Sequence, residues 1–460
     1  MAKSKAIVQF SVFGELLAKT VHWMALTALV VGILSGKADF GRLGGYLGPL
    51  AQVEVRALAL PLCLLALIVR EMLERDPCIL PRLLGMFAVA GPLAIFLGFS
   101  FYAAGNLWDS QYSPVFFNDL AYFIAFVAVA ALAFRTRSDL IILAALLDVI
   151  AFVMLLGVLL LWGPKTYEYN YGELATTITI YRVMGCGVCA AFYLMFAAKS
   201  RAMRLLNFVL AAIFVFGCLA STSRSGILGV AAILGTVFLA AAIAGRWREL
   251  LIVVLATAVG LGAFNLDPRS DALKGRLDAV QETLAPTQNE STRSTVSTGT
   301  CDPRIVSGQP GDAFIREDSC LGAALIPDPA HRLRMSLHAM RVFNTSPIWG
   351  AGPLGYKLLL ADPGYEPVIY TYPHNVFLEV AAIGGSIGLG LVSIPLVVGL
   401  VIVVRAVRSD FSLVFLCGIP VLYMVGSLTG GDLYDARMAW IVVAMLVAIY
   451  GALVMGRKQR

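Results

Sequence analysis

The chain has 460 residues, of which 59% are apolar and 14% charged, with a mean hydropathy of +0.82. Soluble domains carry about 25% charged residues, so this composition excludes a soluble globule; at about 20 residues per membrane-spanning helix it leaves room for a dozen spans and one sizeable loop. The net charge of +6 comes with no basic run interleaved with aromatics, which excludes a nucleic-acid partner and points to membrane-anchoring charges.

At the N-terminus, Lys3 and Lys5 precede a polar, amphipathic stretch through Gln9, Glu15, Lys19 and His22. No small-residue cleavage pattern follows the apolar run Met24 to Leu34, so this segment reads as uncleaved. Hydropathy then predicts an all-α polytopic membrane protein of about twelve spans, over residues 18–36, 57–70, 83–104, 116–134, 140–162, 175–198, 203–221, 226–245, 249–265, 375–404, 411–429 and 438–456. The basic residues sort by side. With the N-terminus cytoplasmic, alternate short ends hold seventeen Lys and Arg, among them Arg70, Arg82, Arg135, Arg137, Arg405 and Arg457. The opposite short loops hold only Lys37, Arg42, Lys165, Arg224 and Arg437, which predicts both termini in the cytoplasm.

The chain thus divides into helices one to nine (1–265), one long polar segment facing outward (266–373), and helices ten to twelve (374–460). Within the polar segment, residues 288–311 are rich in Ser, Thr, Gly and Pro and read as a flexible excursion. Residues 331–344 have helical periodicity, with Leu333, Leu337 and Met340 on one face and Arg334, His338 and Arg341 on another. This predicts an amphipathic helix against the membrane or over the bundle. Cys301 and Cys320, both in this segment, are candidates for a disulfide in an oxidising compartment such as a periplasm. Cys186 and Cys189 have CxxC spacing, but one pair inside an apolar helix lacks the other ligands of a zinc site, and no metal or cofactor motif is present.

Candidate chemistry clusters on the outward side. Arg224 is the only charge in the turn Ser223-Arg224-Ser225-Gly226, on the side where interfacial Arg is scarce. Arg182 sits near the outer end of the sixth span, where an ion pair and a functional role compete. In the loop helix, Arg332, Arg334 and Arg341 are either a solvated face or guanidinium forks suited to diphosphate oxygens. The sharpest feature is Tyr372-Pro373-His374-Asn375. A Pro at the helix start puts His374 in the first turn of the tenth span, where the positive helix end favours a neutral imidazole able to accept a proton. Asp432 and Asp435 stand beside Arg437 in the last outward loop, as a salt bridge with it or as acceptor-orienting groups, and Asp148 is a carboxylate inside the fifth span.

The run His374-Asn375, nine residues, Gly385, two residues and Gly388 resembles the signature of the O-antigen ligase and polymerase superfamily. Upstream, Arg332 to Met340, Phe343, Pro347 and Gly350-Ala351-Gly352 resemble its block of an Arg, an apolar helix, a Pro and a GxG, and Ser223 to Gly226 its small-residue turn with Arg. The three blocks cover about residues 200–400, and their arrangement most resembles the ligase that attaches O-antigen to lipid A core. The resemblance implies a metal-independent, inverting membrane glycosyltransferase of GT-C type in the bacterial inner membrane, with no cofactor. Its donor would be an undecaprenyl-diphosphate-linked glycan taken on the periplasmic face, and its acceptor lipid A core. It further implies that His374 is essential and that Arg224 and Arg332 hold the donor diphosphate; Ser336, where relatives carry an aromatic, keeps Arg334 as the alternative to Arg332. Arg182, Asn375, Asp432 and Asp435 are supporting candidates. Other readings are a polymerase using the same donor, a non-catalytic assembly subunit, and a secondary transporter, which would give Asp148 a role but lacks a two-fold repeat.

Overall fold

The computed structural model describes residues 2–35, 54–73, 79–104, 112–161, 177–221, 223–268, 270–271, 274, 329–353, 373, 375–429, 433 and 436–458. They form thirteen helices: α1 (Ala2–Ser35), α2 (Val55–Leu73), α3 (Ile79–Ala104), α4 (Tyr112–Ala133), α5 (Arg137–Leu161), α6 (Thr177–Ala197), α7 (Arg201–Ala220), α8 (Arg224–Ala244), α9 (Trp247–Asn265), α10 (Pro329–Thr345), α11 (Val376–Ser409), α12 (Leu413–Thr429) and α13 (Met438–Lys458). The chain is an all-α polytopic membrane protein.

Among the described residues nine helices are long and apolar enough to cross a membrane, namely α1, α3 to α9 and α11. The apolar parts of α12 (Leu413–Leu428) and α13 (Met438–Tyr450) are shorter. Helix α2 falls outside the nine: it carries Arg56, Arg70 and Glu71 within its span. Burial of its two arginines explains how these charges are tolerated. Arg56 donates to Asp119 Oδ1 of α4 at 2.7 Å and lies over the Tyr122 ring, 4.6 Å from its centroid.

One apolar core runs through the bundle. Where helices approach closely, glycines stand in the contact: Gly32 of α1 meets Ala59 of α2, and Gly187 of α6 meets Ala151 of α5 and Phe214 of α7. Without a hydrophobic drive between spans, such small residues let dispersion contacts hold the helices together. Trp440 of α13 is fully buried, donates from Nε1 to Val392 O of α11 at 3.0 Å, and takes Phe123 of α4 edge-on at 5.4 Å. Asp148 stands on the buried face of α5, and neither of its oxygens has a hydrogen-bond partner among the described residues. The thiols of Cys63, Cys186, Cys189, Cys218 and Cys417 are free and buried in the same core.

The two ends of the bundle differ. At one, the charged end, Arg70 and Arg82 reach the last carbonyls of α4, with Arg70 Nη1 donating to Ala133 O at 3.2 Å and Arg82 Nη1 to Leu132 O at 3.3 Å. Cations there complement the negative end of the helix. Arg70 also donates to His22 Nδ1, which leaves the proton on Nε2 to be donated to Asp139 Oδ1 at 2.7 Å. Asp139 Oδ2 in turn accepts from the backbone N–H of Arg135 at 2.7 Å and Thr136 at 2.8 Å. Thus Arg70, Arg82 and Arg135, read from sequence as membrane-anchoring charges, are members of a partly buried network. At the other, the loop end, α10 packs on α11.

Candidate functional site

The loop end collects the starts of α6, α8, α11 and α13 and the ends of α7 and α12, because neighbouring helices alternate in direction. The starts of α6, α8 and α11 bring the sequence-selected positions Arg182, Arg224 and Asn375.

Helix α11 begins at Val376, with Asn375 as its cap: Oδ1 accepts from the N–H of Phe377 at 3.0 Å and Leu378 at 3.2 Å. A side-chain oxygen that satisfies two orphan donors of a first turn fixes where the helix starts. The expectation that Pro373 opens the helix is therefore corrected. Pro373 is buried two residues ahead of the cap, and the first turn belongs to Val376, Phe377 and Leu378. His374 itself lies outside the described residues, as do Asp432, Asp435, Cys301 and Cys320.

Nine residues after its first, α11 breaks at Gly385 (φ 61°, ψ −158°), a conformation that only glycine adopts without strain. The segment after α10 fills the break. Ser386 N–H donates to Pro347 O at 2.8 Å, Ile387 N–H to Ile348 O at 3.3 Å, and Ala351 N–H to Ala382 O at 2.9 Å, so the peptide groups released by the kink are paired with the loop. The contact is backbone on backbone. A Cβ on Gly350 (φ 74°) would collide with the Ile383 carbonyl, and one on Gly385 with that of Ile348. Gly384 and Gly388 accept the Phe96 ring of α3 on a neighbouring face. The glycines of the two sequence blocks are thus halves of one joint.

From this joint α10 and the first part of α11 run back together, burying Ala339 and Val342 of α10 against Ala382, with Leu378 and Ala351 at the margin. Positions 332 and 334 of α10 and Asn375 of α11 therefore lie on the same side of the joint. At positions 224, 332 and 334 the described atoms are those of the backbone.

A second group converges where α6, α8 and α12 meet. Helix α7 ends at Ala220, and Ser221 Oγ donates to Cys218 O at 2.6 Å while accepting from Ser223 N–H at 3.3 Å. Ser223 is the N-cap of α8, so Arg224 holds its first position. Gly226 packs against Cys218 O and Tyr181 of α6, which accounts for the small-residue turn. The Tyr181 hydroxyl contacts the bare Cα face of Gly426 on α12. Next to it, Arg182 is 6% exposed, with its guanidinium 5.4 Å from the Tyr423 ring centroid and 6.0 Å from that of Tyr181. Such an aromatic cradle holds a cation in place.

Glu379 was not singled out by sequence. It is 8% exposed and accepts from Leu433 N–H at 2.9 Å through Oε2, which ties the α12–α13 connection to the first turns of α11. An acidic residue four positions after an Asn cap was its only signal. Arg437, expected beside Asp432 and Asp435, donates from Nε and Nη2 to Ile33 O at 3.1 and 2.7 Å and so caps α1.

Residues 208–393 match a family described as O-antigen ligase. The matched stretch runs from within α7 into α11 and contains Arg224, Arg332, Arg334, His374, Asn375 and both halves of the glycine joint; Arg182, Asp432 and Asp435 lie outside it. No curated protein matches the chain.

Proposed function

We propose that this chain, which belongs to the O-antigen ligase superfamily through residues 208–393, is the ligase that transfers an O-antigen glycan from undecaprenyl diphosphate to a sugar hydroxyl of lipid A core. The membership makes it a membrane enzyme of the O-antigen ligase or polymerase type. The observation that supports a donor site at the loop end is the joint between Gly350 and Gly385, which ties the helix bearing Arg332 and Arg334 to the helix that follows His374-Asn375.

In this reaction the acceptor hydroxyl oxygen attacks the anomeric carbon, the bond from that carbon to the diphosphate oxygen breaks, and undecaprenyl diphosphate leaves with the electron pair. His374 takes the hydroxyl proton, a role that contributes about 10²- to 10⁴-fold. Arg224, with Arg332 or Arg334, offsets the charge that grows on the leaving diphosphate, as guanidinium forks do without a metal ion. Attack opposite the leaving group inverts the anomeric centre. Arg182 in its aromatic cradle, Asn375 at the cap, and Asp432 and Asp435 support the same end. The bundle lies in the bacterial inner membrane with both termini cytoplasmic, so the loop end faces the periplasm.

Purified protein given undecaprenyl-diphosphate glycan and lipid A core tests this reading. Ligated product that persists in EDTA and disappears with His374→Ala supports it. Full transfer by His374→Ala overturns the role of the histidine, and lengthened donor chains in place of ligated product establish the polymerase reading.

A further inference from the structure

We infer that the Ser346–Gly352 segment, although it belongs to the long polar stretch of the chain, is immersed in the bilayer leaflet at the loop end, with α10 lying along that interface. Three observations carry this.

The first is depth. The partners of the segment are residues of membrane spans: Ala382, Ser386 and Ile387 belong to the span Val376–Val401, and Trp349 stacks on Phe99 of the span Arg82–Tyr102 with ring centroids 5.5 Å apart and planes at 27°. Phe99 is three residues from the end of its span. That is about one helical turn, or 5 Å, inside the bundle's apolar belt.

The second is what the segment leaves uncovered. Ile348 is 56% exposed and Trp349 58%, and on α10 the same side of the joint exposes Leu337 and Met340. Meanwhile Ala339 and Val342 occupy the face that packs on α11. Helix α10 therefore has two apolar faces, of which the protein uses one. The uncovered face continues a surface that lipid must cover, since Ile95, Phe101 and Tyr102 of α3 are exposed on a membrane span. Trp349, stacked on Phe99, and the 83% exposed Tyr102 three residues further along α3 are amphipathic aromatics of this end. Aromatic belts of this kind sit at the membrane–water interface.

The third is the backbone. Non-helical chain is tolerated at membrane depth only where its polar groups are paired within the protein. Here Gly350 N–H donates to Ser346 O at 2.8 Å, and the joint with α11 pairs Pro347 O, Ile348 O and Ala351 N–H. The segment is equipped for hydrocarbon. Its partner is the lipid of that leaflet, with Leu337, Met340, Ile348 and Trp349 among the acyl chains and exposed Arg341 at headgroup level.

A nitroxide placed by Ile348→Cys in the full-length protein, reconstituted in liposomes, tests this, with Met340→Cys as a second position. Lipid-facing Val397→Cys and loop Lys274→Cys serve as references, and the unsubstituted protein labelled in parallel gives the background of the native cysteines. Oxygen collisions several-fold above those with a water-soluble nickel chelate at both positions, as at 397, are the expected result. A nickel-dominated signal like that at 274 would overturn the inference in favour of a water-facing segment. Low access to both agents would overturn it in favour of cover by protein, either another part of this chain or a second copy.

Discussion

Gly385 presses its bare Cα against the carbonyl of Ile348, and Gly350 does the same to Ile383, so two turns 35 residues apart in sequence lock together through their backbones. No side chain fits on either partner. Gly385→Ala combines a backbone conformation that costs an L residue about 1–3 kcal/mol with a clash that backbone cannot easily relieve. The expected outcome is a clearly lowered melting temperature and loss of transfer. Gly388→Ala keeps a helical backbone and crowds the side chain of buried Phe96 rather than a backbone carbonyl, and is expected to lower the melting temperature less. Thermal unfolding of the two variants in one detergent checks the order.

Asn375 provides a cap whose removal is worth about 1 kcal/mol. Asn375→Ala is expected to lower stability by about that amount, and Asn375→Ser, which keeps an oxygen for the first-turn N–H groups, by much less. Transfer assays alongside the melts separate the cap from a direct role: if Ser restores stability but not transfer, the amide acts on substrate.

For Glu379, the carboxylate oxygen that receives Leu433 N–H is the point of attachment of the α12–α13 connection. Glu379→Gln keeps an acceptor of the same length and is expected to retain most of the transfer. Glu379→Ala strands a buried N–H, at a cost of about 1–3 kcal/mol, and is expected to reduce both the melting temperature and the transfer rate. Measuring initial rates at saturating and limiting donor shows whether the loosened connection affects binding or turnover.

At the opposite end, Asp139→Ala removes the shared acceptor of His22, Arg135 and Thr136. Deleting an acceptor and leaving its partly buried donors unpaired costs about 1–3 kcal/mol. The expected result is a poorly stable protein whose folded fraction, quantified by size-exclusion chromatography, transfers glycan at the parental rate, since none of the loop-end groups is touched.

The helices were legible in the sequence because each span must hide its polar backbone in an unbroken apolar run. Helix α2 was the exception in kind: Arg56 and Arg70 lie inside it because Asp119 and His22, distant in sequence, come to meet them. The family motif was legible as spacing alone. Why it contains Gly385 is a matter of contact with Ile348 and Gly350, which no periodicity within α11 reports. The start of α11 was misplaced because Pro373 and Asn375 are both helix-start residues, and the capping oxygen of the asparagine decided between them. In α10 the stripe Leu333, Leu337, Met340 left open whether the helix lies against the membrane or over the bundle, and periodicity alone did not show that the smaller Ala339 and Val342 make the close approach to Ala382. Glu379 gave almost no signal, since the N–H it receives belongs to a residue 54 positions away.

The glycine joint also separates length from position. With Gly350 pinned to Ile383, the chain between residues 354 and 372 starts and finishes at fixed points whatever its number of residues. Closing a stretch twice as long would cost only about 0.6 kcal/mol more. Insertions and deletions there are therefore cheap in a way that a single methyl group on Gly385 is not.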